Sequence, residues 1–254
     1  MKAPYRRKIL LGGALLAVGG IAAAGWRTGL PLPARLPEFA PMPALPGYRL
    51  LKGGPLTPGG VPLFGLEQPP PAGLEAARGE VARDLCGALF GDALGVANAV
   101  PVAYFFDFQC PVCRRLSPRL RRLEGIAISW HDLAGLGPAS EVAARAAIAA
   151  RAQGAGDAFH DRLMRARFQP NEAYVKALAE GMGLDVPRLL EDMASDAVER
   201  RMWLSRALAG KLGMAGTPGL VIGRTVIIGD QPDKLLRRIV AVERAEPGPC
   251  GLRP

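Results

Sequence analysis

Two cysteines spaced three apart follow an apolar strand pattern, and this junction constrains the chain more than any other feature. The run AVPVAYFFDF is apolar and aromatic, which favours a buried strand over Val102–Phe108. The sequence CPVC follows at Cys110–Cys113, and leucines then recur at helical spacing, although Pro118 should kink that helix. Because N–H groups at a helix start are unpaired and stabilise an anion, the sequence predicts a reactive thiol at a strand-to-helix junction.

Cys110 and Cys113 can close a disulfide, which indicates a site of thiol–disulfide exchange. A CxxC pair could also be half of a zinc site or a metal-chaperone clamp. Zinc needs four ligands, and the sequence has no second CxxC, while His131 and His160 are not closely spaced. The sequence therefore favours redox chemistry, with no metal and no cofactor beyond the Cys110–Cys113 disulfide itself.

The composition allows a full core and excludes one class of partner. The chain has 254 residues, of which 49% are hydrophobic, and a net charge of +9. Only 6% of the residues are aromatic, and they form no array with basic residues. We therefore expect no nucleic-acid partner.

The first 26 residues have the pattern of a targeting segment. Basic residues including Arg6 and Arg7 precede an apolar run, Ile9–Trp26, of about the length that spans a bilayer, and we expect this segment to contact the membrane. The run could be a cleaved signal peptide or a retained anchor, and the paired arginines could be a twin-arginine signal or an ordinary basic leader. Either alternative places the rest of the chain in the periplasm or outside, where disulfides persist.

Residues 27–73 are rich in Pro and Gly and predict a linker or an irregular arm. Within it, Tyr48–Leu51 and Val61–Leu66 could be edge strands. A regular domain, 74–254, should then begin with a helix over Leu74–Phe90.

The rest of that domain alternates strands and helices. A strand is predicted at Ile126–Leu133, followed by a helical block at about 138–213 and a hairpin of Leu220–Ile222 and Thr225–Ile228. The helices predicted in the block and at the end are Ala139–Gln153, Asp157–Arg167, Asn171–Gly181, Pro187–Ala194, Asp196–Leu212 and Pro232–Glu243. The expected class is α/β.

This order, together with two motifs, resembles the DsbA-like family of thiol–disulfide oxidoreductases. The motifs are FDFQCPVC at 106–113 and Gly216-Thr217-Pro218 before the hairpin, and the resemblance covers about Leu74 to Arg244. It implies a thioredoxin fold with a helical insertion. It also implies exported, cysteine-containing client proteins and a membrane or periplasmic redox partner that resets the disulfide.

The resemblance assigns roles to individual residues. Cys110 would be the nucleophile and Cys113 the resolving thiol. Pro218 would follow a cis peptide bond and leave the backbone of Thr217 free to pair with an extended client strand. Pro111, at the first helical turn, and Val112 should tune the redox balance. Val112 has neither charge nor hydrogen bond, so we expect a less oxidising site than one with histidine there.

Other polar residues near the motif are given structural roles. Asp107 could accept a proton near Cys113, but a helix cap at the strand end is the favoured interpretation. Arg114 and Arg115 are predicted to lie on a solvated helix face, and His131 and His160 to be structural.

Cys86 and Cys250 remain after the active-site pair. In an oxidising compartment a spare pair usually bonds, which predicts a structural disulfide across about 160 residues. The alternative is one buried thiol and one free thiol.

Four functions stay open at this point. The sequence favours an oxidase for exported proteins. The alternatives are a reductase or isomerase for a few clients, a copper-binding CxxC protein, and a permanent structural disulfide.

Overall fold

A mixed β-sheet forms the centre of the structure, a computed structural model that describes residues 37–59 and 71–250. The described strands are β1 (Ala40–Pro41), β2 (Arg49–Lys52), β3 (Thr57–Pro58), β4 (Val100–Phe106), β5 (Ile126–Asp132), β6 (Gly216–Thr217), β7 (Gly219–Ile222) and β8 (Thr225–Ile228). Six of them pair in the order β1-β2-β8-β7-β4-β5, while β3 and β6 form a separate two-stranded pair. β4 is parallel to β5 and antiparallel to β7, so the sheet is mixed.

Helices cover the sheet. They are α1 (Ala72–Arg83), α2 (Leu85–Phe90), α3 (Pro111–Leu120), α4 (Pro138–Ala152), α5 (Gly156–Met164), α6 (Glu172–Glu180), α7 (Val186–Met193), α8 (Asp196–Lys211) and α9 (Asp233–Ala245). Helices α4 to α8 occupy the predicted insertion between β5 and β6. The structure and the order of its elements confirm the α/β fold with a helical insertion.

The single helix predicted over Leu74–Phe90 is two helices. Asp84 separates them, and its side chain accepts a hydrogen bond from the backbone N–H of Gly87 at 2.8 Å. An aspartate in this position caps a new helix because its carboxylate satisfies an N–H that has no partner within the helix. α3, in contrast, continues through Pro118 and ends two residues later, at Leu120.

The strand before the cysteines is buried on both faces. All seven residues of β4 are buried, with Tyr104 and Phe106 in the core on one side of the sheet and Ala103 and Phe105 in the core on the other. This explains why its sequence is continuously apolar rather than alternating. Each fully buried phenylalanine contributes roughly 1.5–3 kcal/mol of hydrophobic stabilisation, so β4 holds its carboxyl end firmly in place.

Part of the predicted arm belongs to the sheet. The sequence suggested an edge strand at Tyr48–Leu51, whereas β2 lies between β1 and β8, in parallel register with β8. The segments Val61–Leu66 and Ile9–Trp26 lie outside the described residues. Among the helices that the structure describes, none is both long and apolar enough to cross a membrane.

A disulfide joins Cys86 in α2 to Cys250, beyond α9. The two sulfur atoms are 1.95 Å apart and the cysteines are separated by 164 positions in the sequence. Cys250 is buried, and its sulfur lies 3.0 Å from the hydroxyl of Tyr48. The bond therefore fixes the segment after α9 against the helix that leads towards β4.

Candidate functional site

Cys110 caps the start of α3. Its backbone is extended, Pro111 begins the helix, and the N–H of Cys113 donates to the Cys110 sulfur at 3.1 Å. Cys110 and Cys113 both carry free thiols, and both are fully buried. An N–H group of the helix start, that of Cys113, thus points at the Cys110 sulfur, which favours a thiolate there.

The surroundings of Cys110 lower its pKa from 9.0 to about 6. The strongest contribution is a hydrogen bond from the Cys113 thiol, and it outweighs the opposing effect of burial. Hydrogen bonds from the side chains of Thr217 and Thr57 lower the pKa further. Near neutral pH, Cys110 is therefore largely a thiolate.

Cys113 has the opposite character. Burial raises its pKa, and the adjacent Cys110 thiolate, which accepts a hydrogen bond from it, raises it further. The Tyr104 hydroxyl donates to the carbonyl of Cys113 at 3.3 Å and accepts from Ser117 at 3.3 Å, and Ser117 lies 3.4 Å from His160 Nε2. This buried network therefore fixes the backbone of Cys113 in place.

The peptide bond between Thr217 and Pro218 is cis, and the loop that contains it faces the cysteines. The carbonyl oxygen of Thr217 lies 3.5 Å from the Cys110 sulfur. The sequence motif is thus placed where its backbone can contact a group bonded to Cys110.

Thr57, from the predicted arm, is the third group at the Cys110 sulfur. Its hydroxyl oxygen lies 3.2 Å away. Strand β3 carries it there by pairing antiparallel with β6, with Thr57 opposite Thr217 and Pro58 opposite Gly216. A two-residue strand in a Pro- and Gly-rich segment has no pattern that sequence reasoning could detect.

Asp107 is not the cap of α3, because Cys110 takes that position. Its buried carboxylate accepts hydrogen bonds from the N–H groups of Gln109, Gly135 and Leu136 and from the Ser140 hydroxyl, at 2.7 to 3.1 Å. Asp107 therefore fixes the turn before Cys110 to the loop that precedes α4.

Arg114 is not on a solvated face. Its guanidinium donates to the carbonyl of Phe108 at 2.8 Å and to that of Ala166 in the insertion. Arg115 is exposed. His131 is buried, with Nε2 2.8 Å from the Leu89 carbonyl, and burial lowers its pKa to about 3, so it is structural as expected.

A largely apolar groove of about 610 Å³ begins beside Thr217. Its lining residues include Leu133, Leu136 and Met214, and two charged residues, Asp107 and Arg206, also line it. Gly59 also lines it, so the segment that contains Thr57 leads from the cysteines to this groove. Among the described residues, no group of His, Cys, Asp and Glu side chains is arranged to hold a metal ion.

The low pKa of Cys110 predicts a characteristic pH profile. The rate at which iodoacetamide alkylates Cys110 should rise with a midpoint near pH 6 and level off above it, whereas an ordinary thiol is still gaining reactivity at pH 8. Thr57→Val keeps the branched shape but removes the hydroxyl, so the midpoint should move to higher pH. Leu56→Ala, an exposed neighbour, serves as the control. An unshifted midpoint in Thr57→Val would mean that this hydroxyl does not stabilise the thiolate.

Comparison with known proteins finds one family model and several solved structures that resemble this chain. Residues 118–240 match the model of the DSBA-like thioredoxin domain. A thioredoxin-like oxidoreductase from Silicibacter pomeroyi is 35% identical, with a TM-score of 0.59 over 63% of this chain and 97% of that one. The catalytic domain of Proteus mirabilis ScsC is 26% identical, with a TM-score of 0.56 over 66% of this chain and 99% of that domain.

Two further proteins resemble this chain, one in its fold and one over about half of the sequence. The thiol–disulfide exchange protein α-DsbA2 from Wolbachia pipientis shares the fold at 22% identity, with a TM-score of 0.58 over 66% of this chain and 96% of that one. The Na⁺/H⁺ antiporter NhaA 3 of Salinispora tropica is 30% identical over 125 residues, which are 47% of this chain. The chain spans about a fifth of that antiporter's length, 19%.

Proposed function

Because this chain belongs to the DsbA-like family of thioredoxin-fold thiol–disulfide oxidoreductases, we propose that it oxidises the thiols of exported proteins through a Cys110–Cys113 disulfide. The observation that carries the direction of the reaction is the low pKa of Cys110. A stabilised thiolate favours the reduced enzyme, so the disulfide has a strong tendency to accept electrons.

In the proposed first step a client thiolate attacks the Cys110 sulfur. The Cys110–Cys113 bond breaks, its electron pair remains on the Cys113 sulfur, and that sulfur takes up a proton because its pKa is raised. The product is a mixed disulfide between the client and Cys110. In this role the carbonyl of Thr217, 3.5 Å from the Cys110 sulfur, lies beside the client backbone.

In the second step another client thiolate attacks the client sulfur of the mixed disulfide. A disulfide forms within the client, and Cys110 leaves as a thiolate, which its low pKa makes a good leaving group. The enzyme now holds the Cys110 thiolate and the Cys113 thiol, and the client dithiol has lost two electrons and two protons, one proton to Cys113 and one to solvent. A membrane or periplasmic redox partner would restore the Cys110–Cys113 disulfide by the reverse exchange.

The proposal places the domain in the periplasm, delivered there or anchored by the segment Ile9–Trp26. The disulfide between Cys86 and Cys250 supports an oxidising compartment, since such bonds are rare in proteins that stay in the cytosol.

Equilibration with glutathione tests whether the enzyme oxidises or reduces its clients. We expect a reduction potential nearer to about −120 mV, the value of a strong oxidant, than to about −270 mV, the value of a dedicated reductant. The ratio of reduced to oxidised enzyme can be measured by alkylation of free thiols and mass spectrometry. A potential at the reducing end would contradict the oxidase and favour the reductase.

A further inference from the structure

The segment Pro55–Gly59, which we call the strap, lies along the backbone next to Cys110. Thr57 pairs antiparallel with Thr217, and the N–H of Gly59 donates to the carbonyl of Ala215 at 2.9 Å. The strap thus fills the open edge of the cis-proline loop with one of the chain's own strands. An extended peptide that bound there would make the same backbone hydrogen bonds.

The strap is also attached at its other end. The N–H of Asp230 donates to the carbonyl of Pro55 at 2.9 Å, and the Gln231 side chain donates to the carbonyl of Gly53. Arg119 in turn holds Asp230 through two guanidinium contacts of 2.7 and 2.9 Å. Between these anchors the strap runs directly across the active-site cysteine.

Thr57 takes the position that an attacking client thiol needs. Its hydroxyl oxygen lies 3.2 Å from the Cys110 sulfur, which has no exposed surface. A client sulfur must reach the Cys110 sulfur to exchange with it, so Thr57 and a client cysteine cannot occupy this place together. Threonine and cysteine both carry their heteroatom on the β-carbon, so the strap presents an oxygen where a client would present sulfur.

The fit between strap and loop is close. A Cβ added at Gly216 would lie 2.3 Å from the carbonyl oxygen of Thr57, so the strap can approach this far only because residue 216 is glycine. Gly54, at a φ of +90°, would place a Cβ against the carbonyl of Asp230. Glycines therefore permit the close approach at both ends of the strap.

We propose that the strap is an internal client mimic: it occupies the position of the client strand, and a client must displace it to reach Cys110. The inference rests on the proposed function. It specifies the client as an extended segment, antiparallel to Gly216–Thr217, with its reacting cysteine where Thr57 lies. Residues that follow that cysteine would run along Gly59 towards the apolar groove.

The mimic makes Cys110 selective. Because the strap is part of the same chain, it competes with a client strand at a high effective concentration. The observed affinity for a client is therefore reduced in proportion to the small fraction of enzyme whose strap is open. The strap pairs through only a few backbone hydrogen bonds, and local segments of this kind open at low free-energy cost. Extended client segments can therefore replace it, while folded surfaces cannot reach the sulfur.

Cross-linking tests the geometry. In Thr57→Cys/Cys113→Ser, a glutathione redox buffer should form a disulfide between the introduced thiol and Cys110, with two glutathione molecules produced from one glutathione disulfide. The matched control is Leu56→Cys/Cys113→Ser, whose introduced thiol is one residue away on the exposed side of the strap. We expect the equilibrium constant for the bond at residue 57 to exceed the control by at least about ten-fold. Equal constants would overturn the proposal.

A second variant, which introduces no thiol, tests whether the strap shields the Cys110 sulfur. Gly216→Ala in the Cys113→Ser background should push the strap away, so Cys110 should be alkylated several-fold faster at a pH well above its pKa. Oxidation of a reduced, unfolded client by Gly216→Ala with both cysteines intact should slow, since the same methyl group obstructs a client strand. Gly79→Ala in α1 is the control. An alkylation rate equal to that of the control would overturn the proposal.

Wild-type exchange with glutathione separates the two hypotheses. If the wild-type Cys110–Cys113 disulfide does not exchange at all, the proposed function fails. If it exchanges normally and the thiol at residue 57 forms no preferred bond, the function stands and the client mimic is wrong.

Discussion

Replacing Cys110 by serine should reduce disulfide transfer to the rate seen without enzyme. A serine hydroxyl neither forms a disulfide nor ionises near neutral pH, so both the bond that is exchanged and the thiolate that leaves are lost. Oxidation of a reduced, unfolded client, followed by the loss of free thiols, measures the effect. A Cys110→Ser variant that keeps wild-type activity contradicts the mechanism.

Cys113→Ser is the matched comparison, because it leaves Cys110 in place and removes the resolving thiol. In this variant the Cys110 thiolate can still attack a disulfide-bonded client: the client disulfide breaks, one client sulfur leaves as a thiolate, and the other stays bonded to Cys110 with no second enzyme thiol to release it. Complexes between enzyme and client should therefore accumulate and disappear on reduction. Their appearance in Cys113→Ser and absence in Cys110→Ser assigns the exchange to Cys110.

Removal of the Cys86–Cys250 disulfide should cause a large loss of stability. The bond closes a loop of 164 positions, and the chain-entropy model gives about 5 kcal/mol for a loop of that length. In Cys86→Ser/Cys250→Ser the free energy of unfolding should fall by up to that amount, with a melting temperature lower by about 10–20 °C. Urea unfolding of the oxidised proteins measures the difference.

Cys110→Ser/Cys113→Ser provides the control for stability, because it removes a disulfide whose loop is only three positions long. We expect it to unfold at nearly the wild-type urea concentration. If Cys86→Ser/Cys250→Ser also unfolds there, the bond to the segment after α9 does not restrain the unfolded chain as the model requires.

The sequence alone predicted those structural elements that depend on residues close together along the chain. The apolar run of β4, the cysteine that caps α3 and the proline in its first turn are encoded within about fifteen residues, so the strand-to-helix junction could be predicted. The hairpin of β7 and β8 is equally local. Helix breaks were harder: the break at Asp84 depends on a side chain that satisfies the next turn instead of continuing the first.

The tertiary structure decided which distant groups meet at Cys110. Thr57 is 53 positions away, and its strand of two residues is too short to show a periodic pattern. The partners of Asp107 and Arg114 lie in the loop before α4 and in the insertion, so their roles follow from packing and not from their neighbours in sequence. The sequence by itself thus determined that this chain carries a reactive cysteine pair at a helix start. Only the fold placed a strand of the same chain over it, because backbone pairing joins segments whose side chains carry no matching signal.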